Sequence, residues 1–248
     1  MLRKMVTDHI WSRLAPILKS LKIHFSFKMK DFMEAVLWKL RTGAPWRDLP
    51  TEFGPHSTVF NKFNRWSHKD YWFYIFTKIR GELDDEWNFI DSTIIRAHQH
   101  ATGYFHKNQD IGKSVGGNST KIHMLSDSYG NPVDFIITPG QTHDSQAAEE
   151  LIDMSNGENI IADRAYSDQN IRHKIQNKNS QPIIPKKSNA IDKSNPGFDS
   201  YLYKTRHLAE NLFARLKHFR SIATRYDKMT NNFSSMLYLA CSFIWSKI

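Results

Sequence analysis

Two aspartates directly follow short apolar runs, and each is placed to present its carboxylate at the end of a predicted strand. Asp91 follows Phe89-Ile90, and Asp163 follows Ile160-Ile161-Ala162. Because the carboxyl ends of neighbouring strands share one edge of a sheet, we expect the two side chains to lie close together. Carboxylate oxygens are the ligands that Mg²⁺ and Mn²⁺ prefer in proteins. Many strands end in an acid, however, so either aspartate alone predicts little.

A third carboxylate, Glu210, falls in a segment with helical spacing. Tyr203, Arg206, Glu210 and Lys217 follow one another at intervals of 3, 4 and 7 residues. On a continuous helix over 203–219, about 100° per residue would place them within roughly 60° of one another. One face would then present a phenol, a guanidinium, a carboxylate and an ammonium group. Arg206 and Glu210 also have the spacing of an ordinary surface ion pair, and this alternative stays open.

Residues 83–248 have the pattern of a mixed α/β domain. Their apolar runs and turn signals predict strands and helices in the order β, β, β, α, β, α, β, α, followed by a last helix, with helices on both faces of the sheet. The predicted strands are 87–93, 121–126, 132–138, 159–163 and 181–185, and the predicted helices are 144–154, 167–177, 203–219 and 232–247. The second and third strands form a hairpin, and residues 186–200 form a polar loop. Asp91 and Asp163 close the first and fourth strands.

Residues 1–82 have the pattern of a small helical domain. Thr7 is a candidate cap for a helix that begins at Asp8, and Gly43 a candidate stop for a helix over 30–42. Ser57 is predicted to cap a third helix over 58–67, and a fourth spans 70–80. The third helix has a polar face with Asn61, Lys62 and Arg65, as in the DNA-reading helix of a helix-turn-helix module. A plain helical bundle is the alternative.

Charge is distributed unevenly along the chain. The net charge of +9 divides into +9 over residues 1–80, −10 over 81–163 and +10 over 164–248. Basic segments suit a polyanion such as DNA, and an acidic centre suits cations. No apolar run approaches the roughly 20 residues of a membrane span. The start of the chain has no signal-peptide pattern, which predicts a cytoplasmic, nucleoid-associated protein.

Cysteine and histidine usage bears on other kinds of site. The single cysteine, Cys241, excludes an intramolecular disulfide and a cysteine-cluster zinc site, and its apolar surroundings predict a buried thiol. His98, His100 and His106 resemble a ligand cluster, but contacts to backbone or phosphate are the favoured interpretation. Gly116-Gly117 is a weak phosphate-loop signal because no Walker pattern surrounds it.

Several motifs together resemble the transposases of the insertion sequence five family. The family's Tyr-x2-Arg-x3-Glu-x6-Lys signature stands unbroken at Tyr203, Arg206, Glu210 and Lys217. The matching stretches cover nearly the whole chain, namely Leu37 to Pro50, Ile90 to Thr93, Thr120 to His123, Thr138 to Gln141, His143-Asp144, Ala162 to Tyr166 and Ala223 to Lys228. Only residues 112–118 look irregular beside the family pattern.

The resemblance implies a ribonuclease H-like fold with a catalytic Asp, Asp, Glu triad. In this chain the triad is Asp91, Asp163 and Glu210, which would bind two Mg²⁺ or Mn²⁺ ions. Tyr203, Arg206 and Lys217 would contact transposon-end DNA near the scissile phosphate. The implied activity is cleavage at the terminal inverted repeats and strand transfer into target DNA, by a homodimer on DNA. No covalent protein–DNA bond is needed.

Two other functions are compatible with many of the same features. A hydrolytic nuclease of this fold would cut DNA without joining it, although it would not need a separate domain for recognising DNA ends. A DNA-binding remnant, such as a repressor, would use the basic helices without catalysis. The intact triad and signature argue against the remnant, so transposition is the favoured interpretation.

Overall fold

The structure is a computed structural model, and it describes residues 4–21, 23, 28–103, 109–187 and 194–247. The helices of the described residues are α1 (Asp8–Ser20), α2 (Met29–Thr42), α3 (His56–His68), α4 (Tyr71–Ile79), α5 (Asp144–Met154), α6 (Gln169–Asn177), α7 (Ser200–Lys204), α8 (His207–Lys217), α9 (Arg220–Ala223) and α10 (Thr230–Trp245). Their strands are β1 (Trp87–Ala97), β2 (Gly112–Ser114), β3 (Gly117–Ser126), β4 (Pro132–Pro139), β5 (Asn159–Ala162), β6 (Gln181–Ile183) and β7 (Thr224–Arg225).

The chain divides into two compact units. Unit 1 contains Met1–Gly81, Arg96–Gln109 and Leu216–Ile248, and unit 2 contains Glu82–Ile95 and Asp110–Arg215. The functional division, with DNA binding in 1–82 and catalysis in 83–248, stays a prediction. None of the helices in the described residues combines the length and the apolar character that a bilayer crossing requires.

Unit 1 begins with the four predicted helices. The Thr7 hydroxyl accepts a hydrogen bond from the Ile10 amide, and Gly43 ends α2 in the left-handed conformation at φ 67°. The predicted cap at Ser57 is wrong, since α3 already begins at His56 after Pro55. Proline presets the backbone for a helix start, and the Pro55 carbonyl accepts from the Thr58 and Val59 amides.

The core of unit 1 contains a cluster of aromatic side chains. Phe32, Phe63, Trp66 and Trp72 are buried, and the Trp66 and Trp72 rings lie 5.2 Å apart. The C-terminal helix α10 contributes a long apolar surface that includes the buried Cys241, as predicted. Strand β7 pairs in parallel with Arg96 and Ala97, the last two residues of β1.

Unit 2 is built on a mixed sheet in which β1 lies between β3 and β5. The strand order is β2-β3-β1-β5-β6, with β4 paired to β3. Strands β3 and β4 form the predicted antiparallel hairpin, while β5 is parallel to both β1 and β6. The hairpin turn is held by Asp127, whose carboxylate accepts from the Tyr129 and Asn131 amides. The short strand β2, in the irregular segment 112–118, was not predicted.

Helices cover both faces of this sheet, as predicted. Adjacent residues of a strand point to opposite faces, and Phe89 and Ile90 lie in two different apolar clusters. The Ile90 cluster includes side chains from α5 and α6. The Phe89 cluster includes Ala209 of α8 and residues of α7. Helix α8, which contains Glu210, therefore packs against the face of the sheet on which Phe89 lies.

Candidate active site

Asp91 and Asp163 lie beside each other because of the register between two parallel strands. The last residue pair between β1 and β5 is Ile90 with Ala162, so the next pair in the same register would be Asp91 with Asp163. Strand β5 ends there, and the Asp163 carboxylate accepts a 2.8 Å hydrogen bond from the Ala165 amide. Strand β1 instead continues to Ala97. The prediction that Asp91 closes its strand is therefore wrong: Asp91 lies where the partner strand ends.

Glu210 is on α8, but the predicted continuous helix over 203–219 is wrong. The helix is interrupted between Lys204 and His207, so Tyr203 lies on α7 and Arg206 in the break. There the amides of Thr205 and Arg206 bond carbonyls three residues earlier instead of four. The Thr205 hydroxyl also donates to the Leu202 carbonyl, which competes with helical bonding. The helical-face argument from sequence spacing therefore does not hold across the break.

Arg206 joins two of the three acids. Its Nη1 donates to Oδ2 of Asp91 at 2.7 Å, and its Nη2 donates to Oε1 of Glu210 at 2.5 Å. The Arg206 and Asp91 side chains are only 22% and 13% exposed, whereas that of Glu210 is 57% exposed. Arg206 and Glu210 thus form the ion pair that the surface alternative expects. Arg206 also pairs with Asp91, however, which is the more buried of its two partners.

Three carboxylates and the Arg206 guanidinium determine the electrostatics of the site. Burial raises the pKa of Asp91 to about 6, the Arg206 guanidinium and the Ser92 amide lower it, and the Asp163 and Glu210 carboxylates raise it further. Burial lowers the pKa of Arg206, but Asp91 and Glu210 outweigh this and raise it. The charges of Asp163 and Glu210 therefore reach Asp91.

The donor set suits a hard divalent cation, because all three acids offer carboxylate oxygens. Among the described residues, no three His, Cys, Asp or Glu side chains are gathered closely enough to hold a metal ion. The Arg206 guanidinium lies between Asp91 and Glu210 and provides the positive charge there. The acids are thus of the chemical type that binds a divalent ion, and in this structure Arg206 occupies the place between two of them.

The other predicted DNA-contacting residues occupy varied positions. Tyr203 is half-buried, with its ring 5.5 Å from that of Phe198, and Lys217 is exposed at the end of α8 in unit 1. On α3, Asn61 and Arg65 are exposed. Lys62 is half-buried, with its ammonium 4.3 Å from the centre of the Phe32 ring. A DNA-binding role for these five residues stays a prediction.

The histidine segment shows local contacts. The His98 ring accepts a hydrogen bond from the His100 amide and lies 5.0 Å from the Tyr226 ring. His106 lies outside the described residues, so the three-histidine arrangement is not seen as a whole.

A polar network beside Asp91 was not assigned a role from the sequence. Asp144, at the start of α5, is contacted by Ser92 and Lys121, and His123 and Tyr166 lie close to it. The signal was present, since Ser92, Lys121, His123, Asp144 and Tyr166 all fall within the family-like motifs. Spacing along the chain does not show that these motifs come together around Asp144, next to Ser92.

Two family descriptions match the chain. The family described as "Transposase DDE domain" matches residues 84–245, and "Putative transposase of IS4/5 family" matches residues 6–76. A putative transposase for insertion sequence element IS6501 from Brucella ovis is 36% identical over 128 residues, which are 51% of this chain and 98% of that protein. A putative transposase for insertion sequence element IS402 from Burkholderia cepacia is 25% identical over 142 residues, which are 52% of this chain and 64% of that protein.

One solved structure has a similar fold over most of the chain. The piggyBac transposase, in a synaptic complex with hairpin DNA, matches with a TM-score of 0.50 and 13% identity, covering 98% of this chain and 73% of that one. This likeness bears on the fold alone and agrees with the predicted ribonuclease H-like sheet and its helices. From the family match over residues 84–245 and the Brucella relative, the chain belongs to the DDE transposases of bacterial insertion sequences.

Proposed function

We propose that the chain binds the terminal inverted repeats of its element and catalyses metal-dependent DNA cleavage and strand transfer at Asp91, Asp163 and Glu210. The observation that carries this proposal is the Arg206 bridge between Asp91 and Glu210. A half-buried guanidinium shared by two carboxylates stands where a divalent cation would neutralise the same charges. Arg206 is also well suited to bind a phosphate, because its planar donors match phosphate oxygens.

In this proposal, different residues of the site bind the metal ions and the phosphate. Asp91, Asp163 and Glu210 would hold two Mg²⁺ or Mn²⁺ ions, which when bound activate an attacking water and stabilise the leaving 3′ oxygen. Arg206, released from the carboxylates, would hold the scissile phosphate. The 3′-hydroxyl that cleavage frees would then attack a phosphate of the target DNA at the same site.

The basic residues would hold the DNA duplex. Tyr203 and Lys217 flank Glu210 in the sequence, and Asn61 and Arg65 of α3 are exposed, so we assign DNA contacts to these four residues and to Lys62. DNA affinity that depends on phosphate contacts of this kind falls as the salt concentration increases. We assign end recognition to 1–82 and catalysis to 83–248. A homodimer is proposed because transposition brings two ends together.

The test is cleavage and strand transfer on DNA that contains the ends of the element. Asp163→Asn and Glu210→Gln should each abolish both reactions in Mg²⁺ and Mn²⁺ while leaving DNA binding intact. Asp153→Asn is the matched control, because Asp153 is an exposed acid of unit 2 that pairs with Lys174. Near wild-type cleavage by Asp163→Asn would refute the assignment.

The same assay separates the two rival functions. A hydrolytic nuclease would cut end DNA but transfer no strand. A DNA-binding remnant would bind the ends and cut nothing under any metal condition. Cleavage followed by joining, lost in Asp163→Asn and kept in Asp153→Asn, supports the transposase.

A further inference from the structure

A fourth carboxylate, Asp144, contacts Ser92, the residue that follows Asp91 in β1. It is the first residue of α5, and its side chain is 20% exposed. Its Oδ1 accepts a 2.6 Å hydrogen bond from the Ser92 hydroxyl and lies 3.2 Å from the Lys121 ammonium. The His123 ring nitrogen Nδ1 is 3.7 Å from the same oxygen. Three elements, β1, β3 and α5, therefore meet at one carboxylate oxygen.

Ser92 connects this carboxylate to Asp91. Its hydroxyl donates to Asp144, and its backbone amide donates to Oδ1 of Asp91 at 2.8 Å. Asp91 is thus held by the Ser92 amide on one oxygen and by Arg206 on the other. If Arg206 leaves, the amide is the contact that continues to orient Asp91. The residue whose amide holds Asp91 is therefore the one whose side chain is anchored on Asp144.

Lys121 is the cation that balances Asp144. Its side chain is 11% exposed, and its ammonium also donates to the Thr142 carbonyl at 2.7 Å. His123 is fully buried, with its Nε2 2.8 Å from the Thr138 hydroxyl, and burial lowers its pKa to about 4. His123 is therefore neutral at pH 7. Lys121 and Asp144 form a nearly buried pair with fixed partners, unlike exposed pairs such as Lys174 with Asp153.

Tyr166 lies close to Asp144 and Ser92. It is 1% exposed, and burial followed by the charges of Asp144, Asp91 and Asp163 raises its pKa well above the usual value. The phenol therefore stays neutral next to both the Asp144 network and the candidate metal-binding acids.

We infer that Asp144 is a positioning residue for metal binding, which acts through Ser92 to orient Asp91 and is neutralised by Lys121. The inference rests on the proposed function, because it needs Asp91 to be a metal ligand. Groups that orient metal ligands typically change metal affinity by about 10–100-fold when they are removed.

Mn²⁺ affinity of the full chain, measured by titration calorimetry, tests the inference without any reaction. Asp144→Ala and Ser92→Ala should each weaken Mn²⁺ binding by about tenfold. The double variant should bind Mn²⁺ no more weakly than Asp144→Ala alone, because Asp144 acts through Ser92. Ser92→Thr, which keeps the hydroxyl, should bind as the wild type does, and so should the control Asp153→Asn.

Folding is checked on the same samples. Should Asp144→Ala fail to fold, Asp144→Asn, which keeps the shape of the side chain, takes its place and should weaken Mn²⁺ binding by at least threefold. Unchanged affinity in a folded Asp144 variant would overturn the inference while leaving the proposed function intact. Effects that multiply in the double variant would overturn the route through Ser92. No Mn²⁺ uptake by the wild type would overturn the proposed metal site, and the inference with it.

Discussion

The guanidinium of Arg206 lies 2.7 Å from the carboxylate of Asp91, although the two residues are 115 positions apart in the chain. The contact brings a residue of the break between α7 and α8 to the strand position where the register of β5 ends. It also makes the protonation of Asp91 depend on a residue that DNA would compete for.

Replacing Arg206 should change the titration of Asp91. Since the guanidinium lowers the pKa of Asp91 against the effect of burial, Arg206→Gln should raise that pKa above its present value of about 6. The shift is measured by NMR from the carboxyl carbon of Asp91 in metal-free buffer. Lys174→Gln is the control, because Lys174 pairs with the exposed Asp153 and should leave Asp91 unaffected. An unchanged or lower pKa in Arg206→Gln would contradict the bridge.

The Asp91 carboxyl should destabilise the metal-free fold at neutral pH. Its folded-state pKa of about 6 lies above the ordinary 3.8, so the folded chain holds this proton more tightly than the unfolded chain does. Its contribution to stability is complete below pH 3.8 and is lost as pH rises through 6. Asp91→Asn, which stays neutral, should therefore be more stable above pH 6, by on the order of 3 kcal/mol at most.

Urea unfolding at several pH values measures this effect. The stability difference between Asp91→Asn and the wild type should be small at pH 3.5 and should grow up to about pH 6.5. Asp153→Asn serves as the exposed control and should show no such growth. A difference that is constant with pH would show that Asp91 does not titrate as the structure indicates.

Gly130 should be required for placing α8. Its φ is +71°, and an added Cβ would lie 2.8 Å from the Leu208 carbonyl oxygen, two residues before Glu210. Gly117 is a matched control, with a φ of +93° but open space around it. Gly117→Ala should cost about 1 kcal/mol from its backbone conformation, and Gly130→Ala about 1–3 kcal/mol more because of the steric contact. Equal losses of unfolding free energy in the two variants would contradict this.

Local signals predicted most of the fold. Thr7, Gly43 and the hairpin turn at Asp127 mark their elements because each satisfies a backbone requirement within a few residues. The alternation of Phe89 and Ile90 between two apolar clusters follows from strand geometry in the same way. Such features depend on neighbours in the chain, so a sequence shows them directly.

Features that depend on contacts between distant segments were predicted less well. The contact of Arg206 with Asp91 joins residues 115 positions apart. The meeting of Ser92 with Asp144 joins residues 52 positions apart. Spacing along a chain carries no information about such distances. The triad positions Asp91, Asp163 and Glu210 were recognised by family resemblance, and their catalytic role stays a prediction.

The Arg206 bridge also bears on how the protein matures. The Arg206 guanidinium belongs to the same polypeptide as Asp91 and Glu210, and it offsets part of their negative charge as soon as the chain has folded. The metal-free fold therefore carries a counter-charge of its own at these acids, unlike small domains that fold only around zinc. Under the proposed function, we expect a divalent ion to enter this site after folding, in place of Arg206.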